Sequence, residues 1–166
     1  MSRRRTLATT CAAVSILIAA GLLSFKEPLI WNRTESAPVG LYWRSDGPLT
    51  PGGWAVVSAE APGSVWAASR GYVGADWPII KQVRGMSGDE ICRTGETVSI
   101  NGMTVARTQE TDSRGRSLPV WQGCFTLQTD EVFLLNDHPG SLDGRYFGAT
   151  PVRDIAGPAT LLWSQR

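Results

Sequence analysis

The first twenty-six residues constrain this chain more than any other segment. Arg3, Arg4 and Arg5 precede an uncharged stretch from Thr6 to Phe25, and Lys26 ends that stretch. Twenty helical residues span roughly 30 Å, the thickness of the hydrocarbon core of a bilayer. We therefore expect residues 1–26 to form an arginine-rich end and one transmembrane helix, and residues 27–166 to form a single exported domain.

The charge pattern also predicts the orientation of this span. Cations before the span with few after it favour a cytoplasmic N-terminus, so the expected location is the inner membrane, single-pass, with the domain in the periplasm. A cleaved secretory signal is the alternative. Its apolar core is usually about 7–15 residues long, whereas here Pro28 to Trp31 continue the apolar character. Residues 27–166, called the body below, are exported in either case.

Cys92 and Cys124 are the only cysteines beyond the predicted span, and the expected export determines how they are interpreted. In an oxidising compartment they are a candidate disulfide, which would stabilise the fold by roughly 3–4 kcal/mol. Two separate buried thiols are the alternative. A single histidine argues against a structural zinc site. A net charge of +1 gives no electrostatic reason to expect a nucleic acid partner, and we expect no metal and no cofactor.

Turn residues divide the body into short segments, because seventeen of the chain's eighteen glycines and all ten prolines are spread along it. Asn101-Gly102 predicts a hairpin between 97–100 and 103–106, since this pair supplies the positive φ angles of a type I′ turn. One helical turn is expected at 66–70 and a long polar loop at 108–117. The other predicted strands are 39–44, 54–58, 79–84, 124–128, 132–136 and 159–163. The expected class is all-β, or β with minor helix.

Lys81 is the only lysine of a body whose other basic residues are arginines. On the predicted strand it shares a face with Ile79 and Val83, and that setting favours burial of the amine. Burial lowers the pKa of a lysine and leaves a neutral base near neutral pH, which arginine cannot provide. Alternation alone is equally compatible with Ile80 inside and Lys81 in water. The turn after the strand, 85–89, favours a rigidly held site.

Three segments resemble the sequence boxes of type I signal peptidases. Lys81 to Asp89 resembles the lysine box, a lysine followed by Val-x-Gly-x-x-Gly-Asp, with Gln82 where the family usually has arginine. Thr34 to Pro38 resembles the nucleophile box, and the continuation 39–43 (Val-Gly-Leu-Tyr-Trp) is similar to the conjugative-transfer, TraF-type branch. Ser141 to Gly148 resembles the last box, Ser-x-Asp-Ser-Arg-x-x-Gly, with glycine in place of the second serine. About fifty residues separate the lysine box from the last box, which leaves no room for the extra domain of larger leader peptidases.

The resemblance implies a signal-peptidase-like β-fold and a serine peptidase. Ser36 would attack the scissile carbonyl and neutral Lys81 would accept its proton. The Ser36 amide and the Thr34 hydroxyl would form the oxyanion hole. Ser141 would orient the lysine amine, and an ion pair of Asp143 with Arg145 would hold the surrounding loop.

Other interpretations of these residues stay open. Without the resemblance, Ser36 is typical of a linker serine and Asp143-Gly144 of a simple turn. His138 makes a serine–histidine enzyme an alternative, although His138-Pro139-Gly140 is typical of an exposed turn. The apolar residues 29–31 either keep the site near the bilayer or begin the core.

The expected partners are membrane lipid and an exported polypeptide presented at the membrane surface. By resemblance the polypeptide is the conjugative pilin subunit, from which the relatives remove a short C-terminal peptide and in some cases join the chain ends. A general signal peptidase that removes N-terminal leaders is the second hypothesis. A catalytically silent domain that binds an envelope-assembly partner is the third, and it belongs to another class of protein.

Overall fold

The computed structural model describes residues 14–15 and 28–165. The transmembrane helix expected at Thr6 to Phe25 therefore lies, apart from Val14 and Ser15, outside the described residues. Within the described ranges no helix is long and apolar enough to cross a membrane.

Residues 28–165 form eleven strands, two short helices and one 3₁₀ turn. In order they are β1 (Leu29–Asn32), β2 (Gly40–Arg44), β3 (Trp54–Val57), α1 (Pro62–Ser69), β4 (Ile79–Gly85), β5 (Glu90–Thr94), β6 (Thr97–Ile100), β7 (Met103–Arg107), β8 (Gly123–Thr126), β9 (Glu131–Leu134), α2 (Gly144–Phe147), β10 (Thr150–Pro151), the 3₁₀ turn (Val152–Asp154) and β11 (Ile155–Ser164). The mostly β class expected from the sequence is confirmed.

A seven-stranded antiparallel sheet in the order β1-β2-β11-β3-β4-β9-β10 carries both candidate catalytic segments. Successive side chains of a strand point to opposite faces, so Ala55 and Val57 of β3 pack in one core cluster while Val56 packs in another. Val83 of β4 joins the first cluster and Ile80 joins the second. Because both faces of β4 carry core residues, a lysine on this strand lies deep in the molecule.

A four-stranded antiparallel sheet, β7-β6-β5-β8, follows the lysine strand. The β6–β7 hairpin turns at Asn101 and Gly102, whose φ angles are +50° and +78°, as expected from the Asn-Gly pair. Its core includes Ile91 and Val98. Cys92 and Cys124 face each other across β5 and β8, and their sulfur atoms are 2.06 Å apart.

Several elements differ from the sequence-based expectations. The helix α1 covers Pro62–Ser69 rather than one turn at 66–70, because Pro62 stands in the first helical turn, where its missing N–H would have no partner within the helix. The strands β1, β5 and β10 lie outside the predicted strands. The segment 141–148, predicted only as a sequence box, contains the short helix α2, whose N-cap is Asp143.

Candidate active site

The loop between β1 and β2 carries Ser36, and Asn32 holds this loop in shape. The Asn32 side chain is buried; its Nδ2 donates to the carbonyl oxygens of Thr34 (2.9 Å), Ala37 (3.1 Å) and Pro38 (3.1 Å). Its Oδ1 accepts from the Thr34 backbone N–H at 3.2 Å and from the Thr34 hydroxyl at 2.9 Å. Both ends of the loop are therefore tied to one side chain at the end of β1.

The hydroxyl groups of Thr34 and Ser36 lie 3.4 Å apart. Thr34 is thus close enough to reach an oxygen that develops negative charge next to Ser36. In this structure the Thr34 hydroxyl already donates to Asn32 Oδ1, so it would turn its proton toward an oxyanion only when substrate arrives.

Lys81 approaches Ser36 from β4. Its side chain is 5 % exposed, and its Nζ lies 3.4 Å from Ser36 Oγ and 2.9 Å from Ser141 Oγ. Burial lowers the pKa of Lys81 to about 8; the negative charge of Asp143 opposes this shift, and the positive charge of Arg145 adds to it. Since desolvation disfavours the charged form, a substantial fraction of this amine is unprotonated slightly above neutral pH.

An ion pair lies behind the lysine. Arg145 Nε is 2.8 Å from Asp143 Oδ1, and both side chains are almost wholly buried. Asp143 Oδ2 also accepts from the Asn136 N–H at 3.1 Å, and the Arg145 guanidinium donates to the Asn136 carbonyl. Arg145 also donates to the Pro139 carbonyl at 3.3 Å. The pair therefore fixes the loop that carries Ser141.

Asn136 is a second buried asparagine that the sequence analysis did not single out. Its Oδ1 accepts from the Gln82 N–H at 2.9 Å and its Nδ2 donates to the Ile80 carbonyl at 3.1 Å, so it bonds the backbone on both sides of Lys81. Asn32 was missed in the same way. Its one signal in the sequence is its place two residues before Thr34, since asparagine side chains commonly bond the backbone two residues on.

His138 borders the same cleft as Ser36, but its side chain is exposed. Its Nδ1 accepts from the Gly140 N–H at 3.1 Å, which closes a local turn. Among the described residues, the side chains that hydrogen-bond to Ser36 Oγ are those of Thr34 and Lys81. The geometry thus favours lysine over histidine as the partner of the serine.

The cleft at Ser36 has a volume of about 250 Å³. Its walls come from the nucleophile loop, from Ile79 and Lys81 of β4, from the loop at Ser141 and from the region around Tyr72. A cleft of this size has room for a small side chain beside Ser36.

The two departures from the signal peptidase boxes lie away from the Ser36–Lys81 contact. The Gln82 side chain points to the opposite face of β4 from Lys81 and donates to the Gly52 carbonyl at 2.8 Å. At Gly144, a Cβ atom would lie 2.7 Å from the Phe133 ring and 2.8 Å from the Leu134 carbonyl oxygen. This chain has no space for the serine that the family usually carries there.

Comparison with known proteins places the chain in a family. Residues 4–164 match the family described as signal peptidase, peptidase S26. A plasmid transfer protein TraF from Escherichia coli is 38% identical over 128 residues, covering 70% of this chain and 72% of the relative. A second Escherichia coli protein of that name is 33% identical over 145 residues, covering 81% and 80%.

Two further similarities extend the comparison. A probable conjugal transfer protein TraF from Sinorhizobium fredii is 32% identical over 162 residues, covering 90% of this chain and 82% of the relative. A crystal structure of a signal peptidase I from Enterococcus faecalis V583 covers 70% of this chain and 100% of its own, with a TM-score of 0.41 and 17% identity. The family match over residues 4–164 and the identities with the three TraF relatives lead to one conclusion: this chain belongs to the signal peptidase family, peptidase S26, and within it to the relatives called plasmid transfer protein TraF.

Proposed function

We propose that this protein is a membrane-anchored serine endopeptidase in which Ser36 is the nucleophile and Lys81 the general base. The observation that carries the proposal is the 3.4 Å separation of Ser36 Oγ from the buried Lys81 amine, whose pKa is lowered to about 8. Catalytic hydrogen bonds are often long in free enzymes and shorten when substrate binds. A neutral amine at this distance can accept the serine proton.

The chemistry follows from these groups. Ser36 Oγ attacks the scissile carbonyl while Lys81 takes its proton, and the oxyanion is stabilised by the Ser36 N–H and the Thr34 hydroxyl. The Lys81 ammonium then donates its proton to the leaving amine. Ser141 accepts a hydrogen bond from Lys81 Nζ at 2.9 Å and keeps the amine directed at the site. Water, or an amine of the substrate itself, resolves the acyl-enzyme.

The substrate we propose is an exported precursor, the conjugative pilin subunit. Support comes from the relatives, whose names refer to plasmid transfer and conjugal transfer. A general signal peptidase acting on N-terminal leaders uses the same chemistry on another substrate. A catalytically silent binding domain would need none of the lysine burial seen here.

We also propose that the edge formed by β1, β2 and β11 contacts membrane lipid. Trp31, Trp43 and Trp163 are all about half exposed there, and the rings of Trp31 and Trp163 stack with centroids 5.7 Å apart. Tryptophan is enriched at membrane interfaces, and β1 begins directly after the expected anchor. Trp163→Glu is expected to slow cleavage of a membrane-inserted substrate while leaving cleavage of a soluble peptide unchanged; equal slowing of both would contradict the lipid contact.

Mass spectrometry of the pilin tests the proposed function. Co-expression with the wild-type chain is expected to remove a C-terminal peptide, and loss of one further water would indicate cyclisation. Ser36→Ala, Lys81→Ala and Lys81→Arg should each leave the pilin unprocessed, because arginine does not release its proton. His138→Ala is the matched control and should process normally. Processing by Lys81→Arg would eliminate lysine as the base, and cleavage only of N-terminal leaders would favour the general signal peptidase.

A further inference from the structure

A second cleft, of about 480 Å³, borders the lysine. Ile79, Lys81 and Leu142 line both this cleft and the one at Ser36, so the two clefts adjoin at the catalytic amine. The walls of the second cleft are mainly apolar and include Trp66 and Phe147. The second cleft therefore lies directly beside the amine that we propose as the base.

The N-terminus of α1 opens into this second cleft. Ala61, Gly63 and Ser64 all line it. The first intrahelical bond is donated by the Val65 N–H to the Ala61 carbonyl, so the N–H groups of Gly63 and Ser64 have no acceptor within the helix. Alanine is a poor N-cap, and no side chain caps this helix and no acidic residue stands in its first turn. The helix thus presents free donors and the positive end of its dipole.

The Ser64 hydroxyl is an independent sign that something binds here. Ser64 is 1 % exposed, and within residues 14–15 and 28–165 its Oγ is the one fully buried side-chain nitrogen or oxygen without a hydrogen-bond partner. Buried polar groups are normally paired, so each exception calls for an explanation. A ligand oxygen at the end of α1 would accept from this hydroxyl and from the neighbouring N–H groups together.

The other charged groups of the cleft leave these donors available to an anion. Asp143 is paired with Arg145 at 2.8 Å, and Asp154 lies 4.0 Å from Arg153, whose own side chain is largely exposed. Asp143 therefore has its own cation in a close buried pair, whereas Asp154 makes only a loose contact with an exposed arginine. Helix N-termini favour anions, carboxylates included.

We propose that this cleft binds the free C-terminal carboxylate of the polypeptide substrate, with the apolar side chain of the terminal residue against Trp66 and Phe147. This inference rests on the proposed function and extends it. A peptidase that holds the chain end beside its nucleophile cuts at a fixed short distance from a C-terminus. It would therefore discriminate against the same sequence placed inside a longer chain.

Calorimetric titration of the full chain in non-ionic detergent micelles tests the site without any cleavage. The probes are N-acetyl-Leu-Phe with a free carboxylate, the same dipeptide as its C-terminal amide, and decanoate, each corrected by titration into empty micelles. The carboxylate is expected to bind about tenfold more tightly than the amide, a ratio within the range of a helix N-terminus acting on a partly buried anion. Equal affinities would overturn the proposal, and tighter binding of decanoate would reassign the cleft to a fatty acid.

Two substitutions separate a binding role of Ser64 from a structural one. Ser64→Ala should weaken carboxylate binding severalfold with no loss of thermal stability, because it removes a hydroxyl that has no partner in the fold. Ser64→Asp should abolish carboxylate binding, since it places an anion among the same donors, where acidic residues also favour a helix. Ser69→Ala, on the same helix but outside the cleft, is the control and should bind normally. Unchanged binding by Ser64→Asp would refute the site.

A processing assay distinguishes the failure of this site from the failure of the peptidase. Pilin with its native C-terminus should be cleaved, and pilin extended by six histidines should be cleaved at least tenfold more slowly. Equal cleavage of both would refute the carboxylate site and leave the peptidase intact. Carboxylate-selective binding without any Ser36-dependent cleavage would refute the peptidase and leave the site intact.

Discussion

The buried amine of Lys81 should destabilise the fold at neutral pH, and Lys81→Met measures by how much. Burial lowers the pKa of Lys81 from 10.5 to about 8, so the unfolded chain binds this proton more tightly than the folded protein. Linkage then lowers the free energy of unfolding by roughly 3 kcal/mol at pH 7 and by roughly 2 kcal/mol at pH 9. This reduction vanishes above the pKa of the lysine in the unfolded chain. The contribution of this site to wild-type stability therefore rises with pH between about 8 and 10.5.

Urea denaturation of the full chain in detergent, at pH 7 and at pH 9, checks this reasoning. Methionine fills a similar volume without a charge, so the Met variant lacks this reduction. Loss of the Lys81–Ser141 hydrogen bond, 2.9 Å long, offsets part of the gain by an amount that does not depend on pH over this range. The stability difference between variant and wild type should consequently decrease by about 1 kcal/mol from pH 7 to pH 9.

The control is Gln82→Met, the next residue of the same strand, whose difference from wild type should be the same at both pH values. A constant difference for Lys81→Met as well would show that the amine titrates alike in the folded and unfolded states. The inference of a neutral lysine base would then be refuted.

Three further substitutions test other parts of the site. Asn32→Ala should lower kcat at least tenfold and the free energy of unfolding by roughly 1–3 kcal/mol, because the buried hydrogen bonds of the Asn32 side chain to the loop are lost. Wild-type turnover would contradict the positioning role of Asn32. Gly144→Ser should destabilise the fold by roughly 1–3 kcal/mol, since its Cβ would lie 2.7 Å from the Phe133 ring, and an unchanged melting temperature would disprove the crowding. Asp143→Asn should lower the free energy of unfolding by about 3–5 kcal/mol, because it leaves the buried Arg145 cation unpaired. It should also move the acid limb of the kcat/KM profile to lower pH, since Asp143 raises the pKa of Lys81; a shift to higher pH would contradict that assignment.

Local signals in the sequence were sufficient for the hairpin and for the face that Lys81 occupies. The Asn101-Gly102 turn depends on backbone angles that neighbouring residues set by themselves. Alternation likewise places Lys81 with Ile79 and Val83, but it cannot say whether that face is covered. The contacts of the Lys81 amine come from the loops of Ser36 and Ser141, segments 45 and 60 residues away, and the structure buries Lys81 and Ile80 on opposite faces alike.

The elements that were missed depend on partners that their own residues do not reveal. In β5 the buried positions include Arg93, which is 4 % exposed. The sequence of this strand therefore lacks the alternation of buried apolar and exposed polar residues that would predict it. The Arg93 guanidinium is buried because it donates to the Arg145 carbonyl at 3.0 Å and to Thr108 Oγ1 at 3.1 Å. For residues 29–31 the sequence leaves two interpretations open, an apolar segment near the bilayer or the start of the core, and the pairing of β1 with β2 shows that they form a strand. The bond of Arg93 with Arg145, in contrast, joins residues 52 apart.

The hydrogen bonds divide the site into two units that meet only at the reacting atoms. Asn136 bonds the backbone of β4 on both sides of Lys81, and through Asp143 and Arg145 it ties that strand to the loop of Ser141. Lys81, the proposed base, and Ser141, the residue proposed to orient it, therefore belong to one hydrogen-bonded unit.

Ser36, the proposed nucleophile, belongs to the other unit, the loop 33–38, which is hydrogen-bonded to Asn32 at the end of β1. Among the described residues, the hydrogen bond that joins the two units at the centre of the site is the 3.4 Å contact of Ser36 with Lys81, whereas the Lys81–Ser141 bond inside one unit is 2.9 Å. The longer contact is where substrate binding can bring the reacting atoms closer without disturbing the buried ion pair. Changes in the nucleophile loop should therefore act mainly on the rate of the chemical step, and changes around Asn136 mainly on the stability of the fold.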